Sequence, residues 1–486
     1  MPTAEIHYPE LNKVASVGPL SGSSIASINA TPSVPANHEM IFATSFGLVA
    51  NSTDDQTEKL REFFDACDGG IGYLPEGDYY FNPSLTLEIN GFIFSHNTRL
   101  LLLSSNTSSN ACVTLNEGAY INYLHLHVPT GLTANRGILY KNNTGTNTVK
   151  ITSDDQINNM ANNLHGALQL RGDNVTIEHI EVDKFDKAVL AYIVENIKIG
   201  TCRCTNYVTG VYLHSVVNIH FASLHTETAS IYATTSPGHS GLLYTGVENL
   251  HIAYLYIRNA GEHGVRCGGG LFQTNGVFIA IAFIIECGQC AYKIQDSTGT
   301  IPLNHVIGQL TIEDCADTST PGANEDGLRL ENCTGVTISK ITVRKRGNTY
   351  SAYNGIYMNG ARDVELSGQI VDTAADGIYI TQDATGLGYT PQKNGNITFN
   401  GMAVHRPGVN TNCITVVALI RLDRIFWVNL DLRGQSGTGR TIVIPGVTAS
   451  TGIDDWSVVQ GWQENAGAGT HSIVADASIK VSLTTY

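Results

Sequence analysis

Short apolar runs recur at regular intervals along this 486-residue chain and leave few folds open to it. Between residues 85 and 445, each run opens on a small residue and continues with alternating apolar residues, and successive runs start 22 to 36 residues apart. The opening residues are Gly166, Ala188, Gly210, Gly241, Gly264, Ala291, Gly327, Gly355 and Gly377. A repeat of this length indicates a solenoid. Because the repeats hold short strands and show no helical pattern, they predict the coils of an all-β parallel β-helix.

A second apolar run follows each first run, and the residue before it is often asparagine. Examples are Asn174, Asn196, Asn218, Asn249 and Asn396. Asparagine tolerates the left-handed backbone conformation, and its side chain can hydrogen-bond to the same residue of the next coil. We therefore expect a turn at these positions and a ladder of side chains along the solenoid.

The two ends of the chain depart from the repeat. Thr53 to Gln56 fit a helix-capping box, and the apolar face that follows predicts one helix, ended by Gly69 and Gly70. The residues of that face are Leu60, Phe63, Phe64 and Cys67. The predicted organisation is an N-terminal arm rich in Ser, Ala, Pro and Asn (1–40), an entry region with the capping helix (41–84), the β-helix (85–445) and a small C-terminal β region for capping or assembly (446–486).

Composition excludes several classes of partner. The net charge of −15 and the lack of a basic run argue against nucleic acid, which is bound mainly through Lys and Arg. The longest nearly apolar run, 277–285, is too short for membrane insertion. The N-terminus has no basic start or apolar core, so no signal peptide is expected. We expect the ten cysteines to be reduced and mostly buried, and we predict no metal and no essential cofactor.

The entry region carries a family resemblance. The stretch from Asp54 and Asp55 through the helix to Gly72-Tyr-Leu-Pro-Glu-Gly-Asp-Tyr79 resembles the opening of the pectate-lyase-like superfamily, which implies a right-handed, single-stranded β-helix. Over the whole chain, the order of helix, β-helix and β tail is similar to bacteriophage tailspikes that depolymerise capsules. That resemblance implies a homotrimer on the virion tail that acts outside the host cell on capsular or O-antigen polysaccharide. Only about 40 residues precede the opening, so we expect a truncated chain or attachment through other tail proteins.

One outward position of each first strand predicts a glycan-binding groove. If the coils align, these side chains form a column at about 4.8 Å spacing. The column predicted from the sequence is Tyr212, Tyr244, Arg266, Lys293, Arg329, Tyr357 and Tyr379. Aromatic faces stack on sugars, and the central cations suit acidic sugars. The competing interpretation is that β-rich surfaces favour tyrosine and tolerate arginine in any case.

Carboxylates near the small residues are candidates for catalysis. Glycoside hydrolysis needs one protonated and one ionised carboxyl group. Glu262, Glu325, Asp326 and Asp376 are the candidates, and both Glu262 with Asp326 and Asp326 with Asp376 fall two coils apart. Two coils are about 9–10 Å, near the upper end of the ~6.5–9.5 Å expected for inversion. The plain alternative is that Asp before Gly is an ordinary turn former.

Three other functions stay open on the sequence. A lyase acting by β-elimination on a uronic acid would use His263 as base, with Arg266, Lys293 and Arg329 neutralising the carboxylate. A non-catalytic spike or adhesin would use the same column without cleavage. A bacterial enzyme of the pectate-lyase-like superfamily would usually be monomeric and often Ca²⁺-dependent. The preferred hypothesis is a depolymerase that hydrolyses the polysaccharide with a carboxylate pair.

Overall fold

A computed structural model describes the chain from residue 39 onward, apart from 160–164, 229–238, 269–271, 297–299, 316–325, 347–351, 382–391, 393, 408–410, 418–424, 429, 434–441, 444–455, 459–460, 465–472 and 475–486. The predicted arm of residues 1–40 lies almost wholly outside the described residues. The described part is nearly all β with a single α-helix, as the sequence predicts. No helix among the described residues is long and apolar enough to cross a membrane.

The entry region holds the helix and the first strands. Its elements are β1 (Met40–Phe42), a 3-10 helix (Ala43–Phe46), α1 (Thr57–Ala66), β2 (Ile71–Leu74) and β3 (Gly77–Phe81). The predicted apolar face of α1 is confirmed, because Leu60, Phe63, Phe64 and Cys67 are all fully buried.

The predicted capping box at Thr53 to Gln56 is wrong. The helix begins later, at Thr57, whose backbone N–H donates to the Asp55 carboxylate at 2.9 Å. Gln56 instead uses its side-chain amide to bind both backbone groups of Val49, at 2.8 and 3.0 Å. The glutamine therefore joins the helix start to the preceding loop and does not cap the helix.

Most of the remaining strands are short. The longest, β13, β14, β21 and β22, each contain two successive strands of one coil. They are β4 (Leu87–Ile89), β5 (Phe92–Ser95), β6 (Thr98–Leu102), β7 (Val113–Leu115), β8 (Tyr120–Val128), β9 (Ile138–Tyr140), β10 (Gly145–Ser153), β11 (Leu168–Leu170), β12 (Thr176–Asp183), β13 (Lys187–Thr205), β14 (Thr209–Glu227), β15 (Leu242–Thr245), β16 (Glu248–Arg258), β17 (Val265–Cys267), β18 (Asn275–Ile285), β19 (Tyr292–Gln295), β20 (Leu303–Glu313), β21 (Leu328–Arg344), β22 (Ile356–Val371), β23 (Ile378–Thr381), β24 (Gly395–Asn400), β25 (Ala403–His405), β26 (Ile414–Val416), β27 (Ile425–Val428), β28 (Leu430–Arg433), β29 (Ile442–Val443), β30 (Trp456–Val458), β31 (Gly461–Glu464) and β32 (Ile473–Val474).

Each strand pairs in parallel with a strand of the neighbouring repeat. The stack that carries the candidate site, here the first-strand stack, runs through β11, β13, β14, β15, β17, β19, β21, β22, β23 and β26 in that order. Beyond residue 446, where the sequence predicts a separate C-terminal β region, β30, β31 and β32 pair in parallel with β27, β28 and β29. Residues far apart in sequence thus become vertical neighbours about 4.8 Å apart.

The predicted asparagine ladder is present. Asn174, Asn196, Asn218 and Asn249 all have φ between 56° and 60°, and each donates its side-chain N–H to the amide oxygen of the ladder residue one coil earlier at 3.0–3.1 Å. The ladder repeats the same turn before each second strand, so it holds successive coils in register.

The small residue at the start of each first strand is required by close packing. A Cβ added to Gly355 would lie 2.3 Å from a methyl carbon of Ile370 and 2.7 Å from the carbonyl oxygen of Gly377 in the next coil. A Cβ on Gly264 would meet Ile284 equally closely. The interior beside these glycines is one apolar core. All ten cysteines are buried, as expected, and none is joined to another by a disulfide.

Candidate active site

The outward side chains of the first-strand stack form one continuous column, which we call the outer column. In order it holds Gln169, Leu190, Tyr212, Leu243, Arg266, Lys293, Arg329, Tyr357, Tyr379 and Thr415. Arg266, Lys293 and Arg329 therefore lie on adjoining coils, as the alternation of outward and inward residues predicts.

Tyr244 does not belong to the outer column, and its predicted place there is wrong. It lies opposite Leu213 and Cys267, is fully buried, and its hydroxyl lies 3.1 Å from that of Tyr292. Tyr244 is the third residue after its glycine, whereas Tyr212 is the second. Since side chains alternate across a strand, this difference of one residue turns Tyr244 into the interior and leaves Leu243 outside.

The three cations of the outer column are bound to carboxylates. Arg329 contacts the Asp326 carboxylate at 2.9 Å and the Glu331 carboxylate at 2.6 Å, and Lys293 lies 3.6 Å from the other oxygen of Glu331. One coil before Lys293, the Arg266 guanidinium is 3.4 Å from Glu262. Three positive groups thus face three negative groups, so the centre of the column is close to neutral.

Burial sets the protonation of this network. Asp326 and Glu331 are fully buried and Arg329 is 7% exposed. Burial raises the pKa of Asp326, and Arg329 acts against that effect. Burial would also raise the pKa of Glu331, but Arg329 and Lys293 hold it below its ordinary value. Arg329 itself keeps a raised pKa despite its burial, because acidic groups surround it. A buried charge is tolerated when its partners are this close.

Next to the network is an open cavity of about 350 Å³, which we call the tyrosine pocket. It is lined by Tyr353, Asn354, Tyr357, Ala375, Asp376, Tyr379, Thr381 and Thr411. The rings of Tyr357 and Tyr379 are stacked, and the Arg329 guanidinium lies 4.1 Å from the centre of the Tyr357 ring on its other side. Flat aromatic faces of this kind bind the apolar faces of sugars.

Asp376 is the carboxyl group that the tyrosine pocket offers to a ligand. It is partly exposed, one oxygen accepts a hydrogen bond from the backbone N–H of Asn412 at 2.7 Å, and burial raises its pKa. Asp326 precedes it by two coils, and Asn354 on the coil between them donates its side-chain N–H to the Asp326 carboxylate at 2.8 Å. A carboxyl with a raised pKa beside an open aromatic surface suits a proton donor.

The other predicted catalytic residues are placed differently. His263 is 2% exposed, with Nε2 3.4 Å from the Glu262 carboxylate, and burial together with Lys293 and Arg266 lowers its pKa well below the ordinary value. Glu262 is also largely buried, on the coil of Arg266. Glu325 lies outside the described residues, so its role stays a prediction.

Sequence reasoning missed Glu331, and it missed Thr381 and Thr411 of the pocket lining. Glu331 stands two residues after Arg329, opposite Gln295 and Asn359, in a second outward column of the same strands. Reading two outward positions per coil would have found it, along with Thr381. Among the described residues, no three His, Cys, Asp or Glu side chains are grouped as metal ligands.

No protein-family model and no curated protein matches the chain. Solved structures show distant likeness to the chain, and three of them illustrate it. The AlgE6 A-module of mannuronan C-5 epimerase from Azotobacter vinelandii is 15% identical over 92% of this chain and 99% of its own, with a TM-score of 0.39. The catalytic unit of a GH87 α-1,3-glucanase from Streptomyces thermodiastaticus is 14% identical over 90% and 69%, with a TM-score of 0.42. The surface protein and adhesin PfbA of Streptococcus pneumoniae is 11% identical over 92% and 97%, with a TM-score of 0.34. Likeness at this level carries no conclusion about substrate or reaction.

Proposed function

We propose that the chain is a right-handed, single-stranded β-helix that binds a polysaccharide along the outer column and hydrolyses it in the tyrosine pocket. The observation that carries the proposal is Asp376, a partly exposed carboxyl with a raised pKa beside two stacked tyrosine rings. In this role Asp376 protonates the glycosidic oxygen while Tyr357 and Tyr379 hold the sugar.

Asp326 acts in this proposal by positioning other groups. Its carboxylate is fully buried and bound to Arg329 and Asn354, so it cannot touch a sugar in this arrangement. It fixes Arg329 against Tyr357 and thereby the aromatic surface. Glu325, next to it in sequence, is kept as the candidate for the second carboxylate, because hydrolysis requires one.

The test is cleavage of a panel of purified capsular and O-antigen polysaccharides, read by reducing ends and mass spectrometry. A gain of one water per cut indicates hydrolysis. Asp376→Asn is expected to lose cleavage by at least a hundredfold while still binding the polysaccharide. Glu365→Gln, an exposed carboxyl change on the part of β22 that follows the turn at Asp363, is the matched control and should cleave like the wild type. Full activity in Asp376→Asn would refute the proposal.

A lyase is the second candidate, and one observation favours it. Arg266 and Lys293 lie opposite each other on neighbouring strands, and their side chains are 26% and 15% accessible. Both are close enough to the buried His263 to lower its pKa. Against it, both cations already contact carboxylates. Products with the ultraviolet absorbance of unsaturated uronates and no gain of water would establish the lyase, and binding without any product would establish an adhesin.

The biological setting that the resemblance implies is proposed as well: a homotrimeric tailspike on a phage tail, acting on the host's surface polysaccharide. Exposed apolar side chains on neighbouring coils support self-association. They are Tyr254, Phe278, Ile281 and Val306, each about two-fifths exposed. Analytical ultracentrifugation of the full chain tests this, since a trimer is expected, and a monomer at micromolar concentration would contradict it.

A further inference from the structure

The charges in and around the tyrosine pocket bear on the kind of sugar that it can hold. None of the eight described side chains that line the pocket is basic, and one of them, Asp376, is acidic. The others are tyrosines, threonines, one asparagine and one alanine. The lining therefore offers a ligand ring surfaces, hydroxyl groups and an amide, together with one carboxyl group.

The cation that precedes the pocket on the outer column is Arg329, and its guanidinium is already engaged. It contacts the Asp326 and Glu331 carboxylates at 2.9 and 2.6 Å, and it lies 4.1 Å from the centre of the Tyr357 ring. Proteins recognise carboxylates and phosphates through the N–H groups in the plane of a guanidinium. Here two protein carboxylates take that role, and Arg329 is only 7% exposed. An anionic sugar would have to displace one of them.

The balance of charge beside the pocket is negative. One coil before Arg329, Lys293 lies 3.6 Å from Glu331, so these two cations share the carboxylates of Asp326 and Glu331. Asp376 adds a third carboxyl group, within the pocket itself. Two positive charges thus stand against three negative ones when every group is ionised. An anionic sugar in the pocket would be repelled by this surplus and would lose its hydration without gaining a cation.

The sequence next to the lining residues adds no positive charge. Residues 347–351 end shortly before Tyr353, residues 382–391 follow Thr381, and residues 408–410 precede Thr411. All three stretches lie outside the described residues, and none of them contains Lys, Arg or His.

The uncharged groups of the pocket suit the hydroxyl groups and apolar faces of a neutral sugar. Burial raises the pKa of Tyr357 to about 12, so its hydroxyl stays protonated at neutral pH and can both donate and accept hydrogen bonds. Tyr353 is 47% exposed, which makes its ring accessible to a ligand. Such rings bind the C–H faces of sugars, whatever the charge of the rest of the polymer.

We propose that the tyrosine pocket selects a neutral sugar, and that the two sugars on either side of the cut carry no carboxylate, sulfate or phosphate. The assignment of the sugars at the cut rests on the proposed function, whereas the preference of the pocket for a neutral ligand does not. It replaces the expectation from the sequence that the central cations suit acidic sugars, because those cations contact carboxylates of the protein.

The first test uses the full chain and the panel of capsular and O-antigen polysaccharides. Each polymer is assayed in its native form and after chemical reduction of its carboxylates to neutral alcohols. Every polymer that binds in its native form should still bind within about threefold after reduction, because the pocket holds no cation for a carboxylate. Mass spectrometry of the products should show a neutral sugar on both sides of each cut.

The second test places a cation at the pocket and measures binding of polygalacturonate at low salt. Tyr353→Arg should bind this acidic polymer at least fivefold more tightly than Tyr353→Gln, which removes the same ring without adding charge. Thr398→Arg adds the same charge to a partly exposed position of β24 outside the pocket, and it should bind within twofold of the wild type. Circular dichroism checks folding, and the product analysis needs no variant.

The outcomes separate this proposal from the hydrolase. A charged sugar beside the cut, a loss of binding of more than tenfold after reduction, or equal binding by Tyr353→Arg and Tyr353→Gln would overturn the preference for a neutral sugar, and cleavage that requires Asp376 would still support the hydrolase. A polymer that binds equally well in both forms but is not cut would remove the hydrolase and leave the preference standing. Binding of no polymer in either form would overturn both.

Discussion

Tyr357 and Tyr379 stack face to face across neighbouring coils, with ring centres 5.8 Å apart and planes only 11° apart. The arrangement follows from their shared outward position, since Tyr357 lies directly opposite Tyr379 in the pairing of β22 with β23. Arg329 lies on the far side of Tyr357, so the stack is fixed at one end by a charged group that is itself held by two carboxylates.

Removing the outer ring of the stack should weaken sugar binding. Tyr379→Ala, made in the Asp376→Asn background to prevent cleavage, is expected to lower affinity for the polysaccharide about tenfold, because an aromatic contact of this kind contributes about 0.5–1.5 kcal/mol beyond its buried area. Tyr379→Phe keeps the ring and should bind within threefold of the parent. Isothermal titration calorimetry measures both, and unchanged affinity in the alanine variant would count against the stack as a binding surface.

Breaking the buried ion network should destabilise the fold. Asp326→Asn removes one partner of Arg329 and leaves Glu331 shared between Arg329 and Lys293. Loss of one partner of a buried ion pair costs about 3–5 kcal/mol in the free energy of unfolding. Urea denaturation followed by tryptophan fluorescence measures the change. Asp363→Asn, an exposed carboxyl change, is the control and should cost less than about 1 kcal/mol.

The free energy of unfolding should fall in acid, because unfolding lets the buried His305 take up a proton. This histidine is fully buried, stacked on Tyr244, and burial lowers its pKa to about 3. A group whose pKa is lower in the folded state than in the unfolded state stabilises the fold above pH 6.5, and that stability is lost as the pH falls towards 3, by up to ~1.4 kcal/mol per pH unit. His305→Phe should show a smaller loss in free energy of unfolding between pH 7 and pH 4.5. An identical pH dependence in the variant would exclude His305 as a source of acid sensitivity.

Adding one methyl group at Gly355 should destabilise the first-strand stack. Gly355→Ala places a Cβ against Ile370 and the backbone of the next coil, and overpacking of this kind costs about 1–3 kcal/mol. Gly268→Ala is the control, because an added Cβ there meets, within the described part of the chain, only a methyl carbon of Thr245, at 3.1 Å. Thermal denaturation compares the two variants, and equal melting temperatures would contradict the packing argument.

Much of the fold could be predicted from two local rules. The strict alternation along each strand and the small residue before it place Arg266, Lys293 and Arg329 on adjoining coils, and the asparagines mark the turns. Both rules depend only on backbone geometry, which repeats from coil to coil. Applied strictly, the same rules place Leu243 outward and Tyr244 in the interior. The predicted place of Tyr244 is an error of one residue in counting from the glycine, which reverses the direction of a side chain.

The ion pairs of the site could not be predicted from these two rules. Whether Arg329 faces a ligand or a neighbouring carboxylate depends on side-chain conformation and on Glu331, two residues further along the strand. The start of α1 is a similar case, since the side chain of Gln56 binds Val49, a contact that no local pattern encodes. In both cases the outcome depends on which of several neighbouring groups a side chain contacts, and sequence spacing does not specify that choice.

The register between coils is independent of how many residues separate them. Lys293 and Arg329 are 36 residues apart in sequence, and Tyr357 and Tyr379 are only 22 apart. Both pairs nevertheless lie directly opposite each other on neighbouring parallel strands. Residues can therefore be inserted or deleted in the loops between strands while each strand keeps the same paired neighbours. Insertions and deletions in the course of evolution can thus reshape the loops around a ligand. Single substitutions at the outward strand positions can separately change the side chains that contact it.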